Sequence, residues 1–353
     1  MYPFAYETGI VRNRWYMAAF SHEITRDPIE RTFLDTPVVL YRMEDGTPVA
    51  MYGLCPHRYY PLAKGKLDGD AIVCGYHGFT FAADGNCTRI PSQEVPGNFC
   101  QPTYPVIERG PLCWIYMGDP QYRDKASIPP YDDFGLEQDG WRYSSENYFR
   151  LEGRAQLLID NLMDLTHLPY VHHHIPGGEA MANPDMEAAE RKHSYQLIRR
   201  SKVPFTPFHE SLFGSDARFE GLSEFESVTD FYGPELIRTS LPVTKSLDSG
   251  RPVPDGIGEL YILHAITPET EKSTHYFGFS TRNFRLNDES VDEFQWESDC
   301  KIRQQDVDAI NAVEQRLEFG VARQKEMLVV ADRPASLIRK RIESMIAKEQ
   351  TQL

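Results

Sequence analysis

Cys55-Pro56-His57 and, after sixteen intervening residues, Cys74-Gly75-Tyr76-His77 carry the reading of this chain. Together they form C-x-H and C-x-x-H, two thiolates and two imidazoles in matched pairs. Such pairs can grip the two irons of a 2Fe–2S cluster, with cysteines on one iron and histidines on the other. Mixed Cys/His ligation also suits tetrahedral zinc. The spacing departs from a zinc finger, whose histidines lie three to five residues apart. Glycines on both sides of Tyr76-His77 allow the backbone close to a bulky cluster, and Pro56 stiffens the first loop. These residues favour iron–sulfur over zinc.

The bulk properties narrow the function classes. A chain of 353 residues has room for two domains. A net charge of −15 argues against a nucleic-acid partner, because phosphate contacts need a basic surface. Of six cysteines, Cys87, Cys100, Cys113 and Cys300 form no second pairing motif and read as reduced thiols. The N-terminus lacks the basic start and apolar stretch of a signal peptide, and no run approaches membrane-spanning length. A cytoplasmic enzyme with no membrane partner is expected.

The first third alternates short apolar runs with turn signals at Asp45-Gly46, Asp68-Gly69 and Asp84-Gly85, so the Cys/His pairs should fall on loops at strand ends. This region closes with Leu112–Met117 near Gly118. Proline-rich residues 118–135 read as a linker. Beyond it, Leu151–Val171 has a helical pattern. Residues 175–225 show little periodicity and read as a long irregular lid or specificity element. Strands are expected at Ser223–Tyr232, Glu235–Val243, Gly258–Ile266 and His275–Phe284. Helices are expected at Asp306–Phe319 and Ala335–Ala347.

A second constellation lies on the helix expected at 155–172. Asp160, Asp164 and His167 sit at i, i+4 and i+7 on one face, with Asn161 bordering it. His172 is five residues past His167, about 140° round a regular helix. Pro169 lies between them and could break the helix, bringing the imidazoles together. Two histidines near a carboxylate suit the facial triad that holds mononuclear iron and keeps positions open. A polar helix face with satisfied histidines is the bland alternative. A cluster that delivers electrons beside a site able to activate oxygen would make one machine.

With both constellations in view, the chain resembles the oxygenase (alpha) component of Rieske non-heme iron oxygenases. Within that family it is most similar to the branch of vanillate O-demethylase and the toluenesulfonate and dicamba monooxygenases. The resemblance runs through Asn13-Arg14-Trp15-Tyr16, the Cys/His pairs, Pro91-Ser92-Gln93-Glu94, Trp114–Pro120 and Asn161–His167. It implies an α+β protein: an N-terminal all-β Rieske 2Fe–2S domain over 1–120 (core 12–118), then a catalytic domain over 121–353. The latter would have an antiparallel sheet flanked by helices, in a helix-grip-like arrangement.

The resemblance also implies roles. Cys55 and Cys74 would bind one cluster iron, and His57 and His77 the other. His167 and His172 would hold mononuclear Fe(II), with a third ligand from an aspartate that opens a late helix. Asp306 matches that position, with Asp308 as the weaker candidate. Either of His173 and His174 could take part if the helix distorts further. Asp164 would bridge to His77 of a neighbouring subunit, and Asn161 would lie near the iron without ligating it. O2 would be co-substrate, and electrons would come from NAD(P)H through a separate reductase, a ferredoxin, or both. Such a chain would be a homotrimer that hydroxylates or O-demethylates a small aromatic, usually acidic, substrate. Met181, Met186, Phe205, Phe208, Phe213 and Phe219 could line its pocket, and Arg199, Arg200 and Lys202 could meet a substrate carboxylate. Alternatives are a Rieske dioxygenase or hydroxylase of a larger hydrophobic substrate, a pure Rieske electron carrier, and a zinc-stabilised binding module.

Overall fold

The computed structural model describes residues 9–173, 175, 182, 185–218, 220–240, 243–246, 258–318 and 326–351. Met181, Phe219 and His174 lie outside them. The chain forms two compact units. One comprises Arg12–Ile128 with Thr267–Glu271, and the other Pro129–Ile266 and Lys272–Leu353 with the N-terminal residues through Val11.

The first unit is built from three small antiparallel sheets. Strands β1 (Trp15–Phe20), β10 (Val106–Arg109) and β11 (Leu112–Tyr116) form one, in the order β1-β11-β10. A second joins β2 (Ile29–Phe33), β3 (Thr36–Arg42), β4 (Pro48–Tyr52) and β9 (Thr103–Tyr104). A third, β5 (Lys66–Asp68), β6 (Ala71–Val73), β7 (Thr80–Phe81) and β8 (Cys87–Arg89), is a meander. Val39, Tyr41, Met51, Ile72 and Phe81 pack with Cys55, Cys74 and Cys87 into one core, which anchors both Cys/His loops. Cys113 is fully buried in β11, where burial pushes its thiol up to about 12.

The second unit is an eight-stranded antiparallel sheet in the order β12-β19-β18-β16-β15-β14-β13, with β17 (Val243–Ser246) on β15. The members are β12 (Arg142–Leu151), β13 (Asp185–Glu190), β14 (Tyr195–Pro204), β15 (Leu222–Gly233), β16 (Leu236–Ser240), β18 (Leu260–Thr270) and β19 (Ser273–Arg282). Among the described residues five α-helices accompany it: α1 (Ala155–Met163), α2 (Leu168–Val171), α3 (Pro207–Phe213), α4 (Glu289–Glu318) and α5 (Arg333–Thr351). Leu158 and Leu162 of α1, Val307 and Ile310 of α4, and Ile338 and Ile342 of α5 share one core with Leu197, Ile237 and Tyr276 of the sheet. None of the helices among the described residues is long and apolar enough to cross a membrane.

Four expectations need correction. The linker does not extend to 135: Tyr131 and Phe134 are buried in a short turn and belong to the second unit. Residues 175–225 are not one irregular lid, because β13 and β14 form a hairpin with Asp185 opposite Arg200, followed by α3. The pattern over Leu151–Val171 is not one helix, since Leu151 ends a strand and α1 stops at Met163. Finally, Asp306 does not open a helix; it lies in the middle of the 30-residue α4.

Candidate metal centres and adjoining cavity

The two Cys/His loops share one backbone design. Cys55 N–H donates to Tyr60 O (2.9 Å) and Tyr59 N–H to Cys55 O (2.8 Å). In the second loop Cys74 N–H donates to Phe79 O (2.8 Å) and Gly78 N–H to Cys74 O (3.0 Å). The position four after each cysteine is left-handed, with φ +55° at Tyr59 and +71° at Gly78. Glycine meets that demand without cost, whereas Tyr59 carries a Cβ into a region that disfavours it. Both thiols are buried, while His57 and His77 are exposed, with ring centroids 4.5 Å apart. Burial pushes the Cys55 thiol up to about 11. With no metal that thiol keeps its proton, and a bound cation would have to take the proton's place.

The second constellation is shaped by the end of α1. Asp164 leaves helical geometry (φ −125°, ψ 100°), and its Oδ1 accepts from Thr166 N–H at 2.9 Å, capping a single tight turn over Leu165–His167. Pro169 sits in the first turn of α2, where its missing donor costs nothing. The chain therefore bends at Asp164, not at Pro169 as expected. This bend brings the His167 and His172 rings to 5.2 Å in an edge-on arrangement.

Each imidazole is oriented by its far nitrogen. His167 Nδ1 lies 2.7 Å from the Asp164 carbonyl oxygen, and His172 Nδ1 lies 2.9 Å from Gln305 Oε1. Both partners are acceptors, so both Nδ1 atoms carry the proton and both Nε2 atoms present lone pairs. Those two Nε2 atoms face Asp306 Oδ1 at 3.5 and 3.1 Å. The buried His172 Nε2 has no hydrogen-bond partner. The 3.1 Å approach thus sets one acceptor against another. With both rings neutral, three acceptors converge with no proton between them, which fits a cation, and their chemistry suits iron(II). Burial lowers the pKa of His167, which keeps its ring in the neutral ligand form. Burial opposes protonation of His172 too, but there the Asp306 carboxylate outweighs it and raises the pKa.

Asn161 Nδ2 donates to Asp306 Oδ1 at 3.0 Å, so Asn161 touches the carboxylate. Asp164 orients His167 through its backbone carbonyl rather than its carboxylate. Asp160 points away and pairs with Arg339 at 2.5 Å. Asp308 is exposed and accepts from Gln304, one turn back, while His173 is exposed.

A cavity of about 140 Å³ adjoins the three acceptors. Leu162, Leu165, Leu168, Phe208, Leu212, Leu260, Ile262 and Ile302 form its apolar wall. Of the aromatic and methionine residues expected to line it, Phe208 does so. Phe205 and Phe213 pack in the cluster behind it, and Met186 lies in a separate groove against α5. None of the three expected cations lines the cavity: Arg199 is buried and donates to Met163 O and Thr229, Arg200 pairs with Glu226 and Glu187, and Lys202 is exposed. The sequence reading missed His264, Asp299, Arg303 and Gln305. A lone histidine in the apolar run Tyr261–Ile266 was a legible signal for His264. The other three lie on a helix stretch with no apolar period to mark it.

Family comparison agrees with this geometry. Residues 14–105 match the Rieske [2Fe-2S] domain, and residues 151–348 match the vanillate O-demethylase oxygenase C-terminal domain. The chain belongs to the Rieske oxygenases of the vanillate O-demethylase type. It is 34% identical to an iron-sulfur subunit of the toluene-4-sulfonate monooxygenase system of Comamonas testosteroni, over 92% of this chain and 91% of that protein. It is 32% identical to the oxygenase component of dicamba O-demethylase of Stenotrophomonas maltophilia, over 88% and 89%. The crystal structure of dicamba monooxygenase bound to 3,6-dichlorosalicylic acid superposes with a TM-score of 0.86 at 28% identity, covering 97% of this chain and 99% of that one. This Rieske oxygenase is an oxidoreductase whose cofactors are a Rieske 2Fe–2S cluster and a mononuclear iron, with O2 as co-substrate.

Proposed function

We propose that this Rieske oxygenase is the terminal component of a multicomponent monooxygenase that hydroxylates or O-demethylates a small aromatic substrate in the cytoplasm. Its electrons would come from a separate NAD(P)H-dependent reductase, directly or through a ferredoxin. Cys55 and Cys74 hold one cluster iron, His57 and His77 the other, and His167, His172 and Asp306 the mononuclear iron. When bound, the cluster and the iron supply electrons and O2 activation for breaking a C–H bond; a hydroxylated methoxy carbon would leave as formaldehyde. The chain's own residues do the placing. Gln305 and the Asp164 carbonyl fix the imidazole tautomers, Asn161 steadies the Asp306 carboxylate, and the apolar wall excludes water.

The observation that carries this reading is the meeting of two imidazole nitrogens and a carboxylate oxygen, all within 4.8 Å of one another, beside an apolar cavity. The exposure of His57 and His77 supports electron exit to another protomer, in a head-to-tail homotrimer. There the second carboxylate oxygen of Asp164, left over by the Thr166 cap, would accept from the partner subunit's His77. Asp306→Ala and His167→Ala test the assignment. Each should keep the visible Rieske spectrum, lower iron from about three per chain to about two, and abolish product, whereas Asp308→Ala keeps all three properties. Wild-type iron content and turnover in both site variants would refute it.

A further inference from the structure

The charges that face the cavity are already spent on one another. Arg303 is the one cation among the described residues that line it, and it is fully buried. Its Nε donates to Asp299 Oδ2 at 2.9 Å, its Nη1 to His264 Nδ1 at 2.8 Å, and its Nη2 to Leu263 O at 3.2 Å. The guanidinium also lies over the Tyr276 ring, 4.7 Å from its centroid. The same Asp299 Oδ2 also accepts from Asn147 Nδ2 at 2.9 Å. His264 is neutral by geometry. Its Nδ1 accepts from both Arg303 and the Tyr276 hydroxyl (2.6 Å), which leaves the proton on Nε2, 3.0 Å from Thr239 Oγ1.

What the remaining side chains offer a ligand is neutral. Ser227, Ser240, Ser298 and Gln295 bring hydroxyl and amide groups to the same cavity. These donate and accept, which suits an ether, carbonyl or amide. A carboxylate or sulfonate entering here would shed its water and find Arg303 taken by Asp299, and the one positive charge left to it would be that of an iron already partly neutralised by Asp306. Resting on the reading of this cavity as the substrate site, we propose that the substrate is an uncharged aromatic molecule. Asp299 is then the specificity-determining residue that turns anions away by holding Arg303.

Near-isosteric pairs decide it. Binding of 2-, 3- and 4-methoxybenzamide and of the matching methoxybenzoates to the holoenzyme is measured by titration calorimetry, with coupled product formation read in parallel. In each pair that binds, the amide should bind about tenfold or more tightly than the acid. Asp299→Asn leaves the Arg303 charge uncompensated and should narrow or reverse that ratio. Benzoates that bind wild type as tightly as the amides overturn the charge rule, and an unchanged ratio in Asp299→Asn overturns the part given to Asp299. If that variant fails to fold, the wild-type ratio alone decides the charge rule. Binding of neither member of any pair overturns the aromatic-substrate reading beneath it.

Discussion

Gly278→Ala probes the buried polar layer behind the cavity without touching a ligand. Gly278 sits in the fully buried β19, opposite Asn147 of β12, where α4 brings Arg303 against the sheet. A Cβ built there would lie 2.5 Å from Arg303 Cζ and closer still to Arg303 Nε and Asn147 Oδ1. These atoms cannot swing into solvent, because Arg303 is fully buried and Asn147 nearly so. Overpacking of a dense interior costs roughly 1–3 kcal/mol. Loosening the Arg303–Asp299 pair adds part of the roughly 3–5 kcal/mol that breaking a buried pair costs. A net loss of about 3 kcal/mol follows. At roughly 2–4 °C per kcal/mol for a unit of this size, Tm of the catalytic unit should fall by about 6–12 °C. Differential scanning calorimetry reads that transition, and the visible absorbance of the cluster, seated in the other unit, should not change. Gly97→Ala is the control, since nothing lies within 4 Å of its added Cβ. A fall of less than about 2 °C in Gly278→Ala would refute the packing argument.

Two further outcomes are expected. His209 caps α3 by accepting from Thr206 N–H (3.1 Å) and the Thr206 hydroxyl (2.8 Å), and burial pushes its pKa down to about 4. Because the folded-state pKa lies below the ordinary value near 6.5, the stability held by the neutral ring is complete above about pH 6.5 and drains away toward pH 4. Urea midpoints should therefore drop over that window in wild type, and less so in His209→Gln; parallel curves would contradict the cap. Asp164→Asn keeps the Thr166 cap and the backbone carbonyl that orients His167. It should leave both iron sites filled and chemical reduction of the cluster intact, yet slow coupled turnover by at least about tenfold; turnover at the wild-type rate would remove the electron-transfer role proposed for its carboxylate.

The first unit was legible because its signals are local. Asp-Gly turns flank its short strands, and Cys-Pro-His and Cys-Gly-Tyr-His sit on tight loops whose partners lie within a few residues. The site's Asp306 was visible only through a motif, and its place mid-helix was not. The buried stripe of α4 runs through Gln295, Asp299 and Arg303 before it becomes apolar at Val307 and Ile310. A hydrophobic period therefore finds the second half of the helix and misses the first. The bend at Asp164 was missed for a related reason. Its cause is a side-chain cap on Thr166 N–H, and the proline five residues later looked like the stronger breaker. The β13–β14 hairpin escaped because β13 is exposed except at the half-buried Met186 and Ala189, with no two-residue apolar period to mark it as a strand.

The three acceptors hang from walls of unequal stiffness. Asp306 projects from the middle of an eight-turn rod, braced by Val307 and Ile310 in the core and by the Arg154–Glu314 pair about two turns on. His167 and His172 hang from a nine-residue run of short turns, tethered through single hydrogen bonds at their far nitrogens. Leu165 and Leu168, on that same run, line the cavity. Pressure from a molecule filling the cavity would thus be taken up on the histidine side while the carboxylate stays put. Occupancy would be registered as a change in the spacing of the imidazoles, making the soft wall a gauge and the rod its fixed reference.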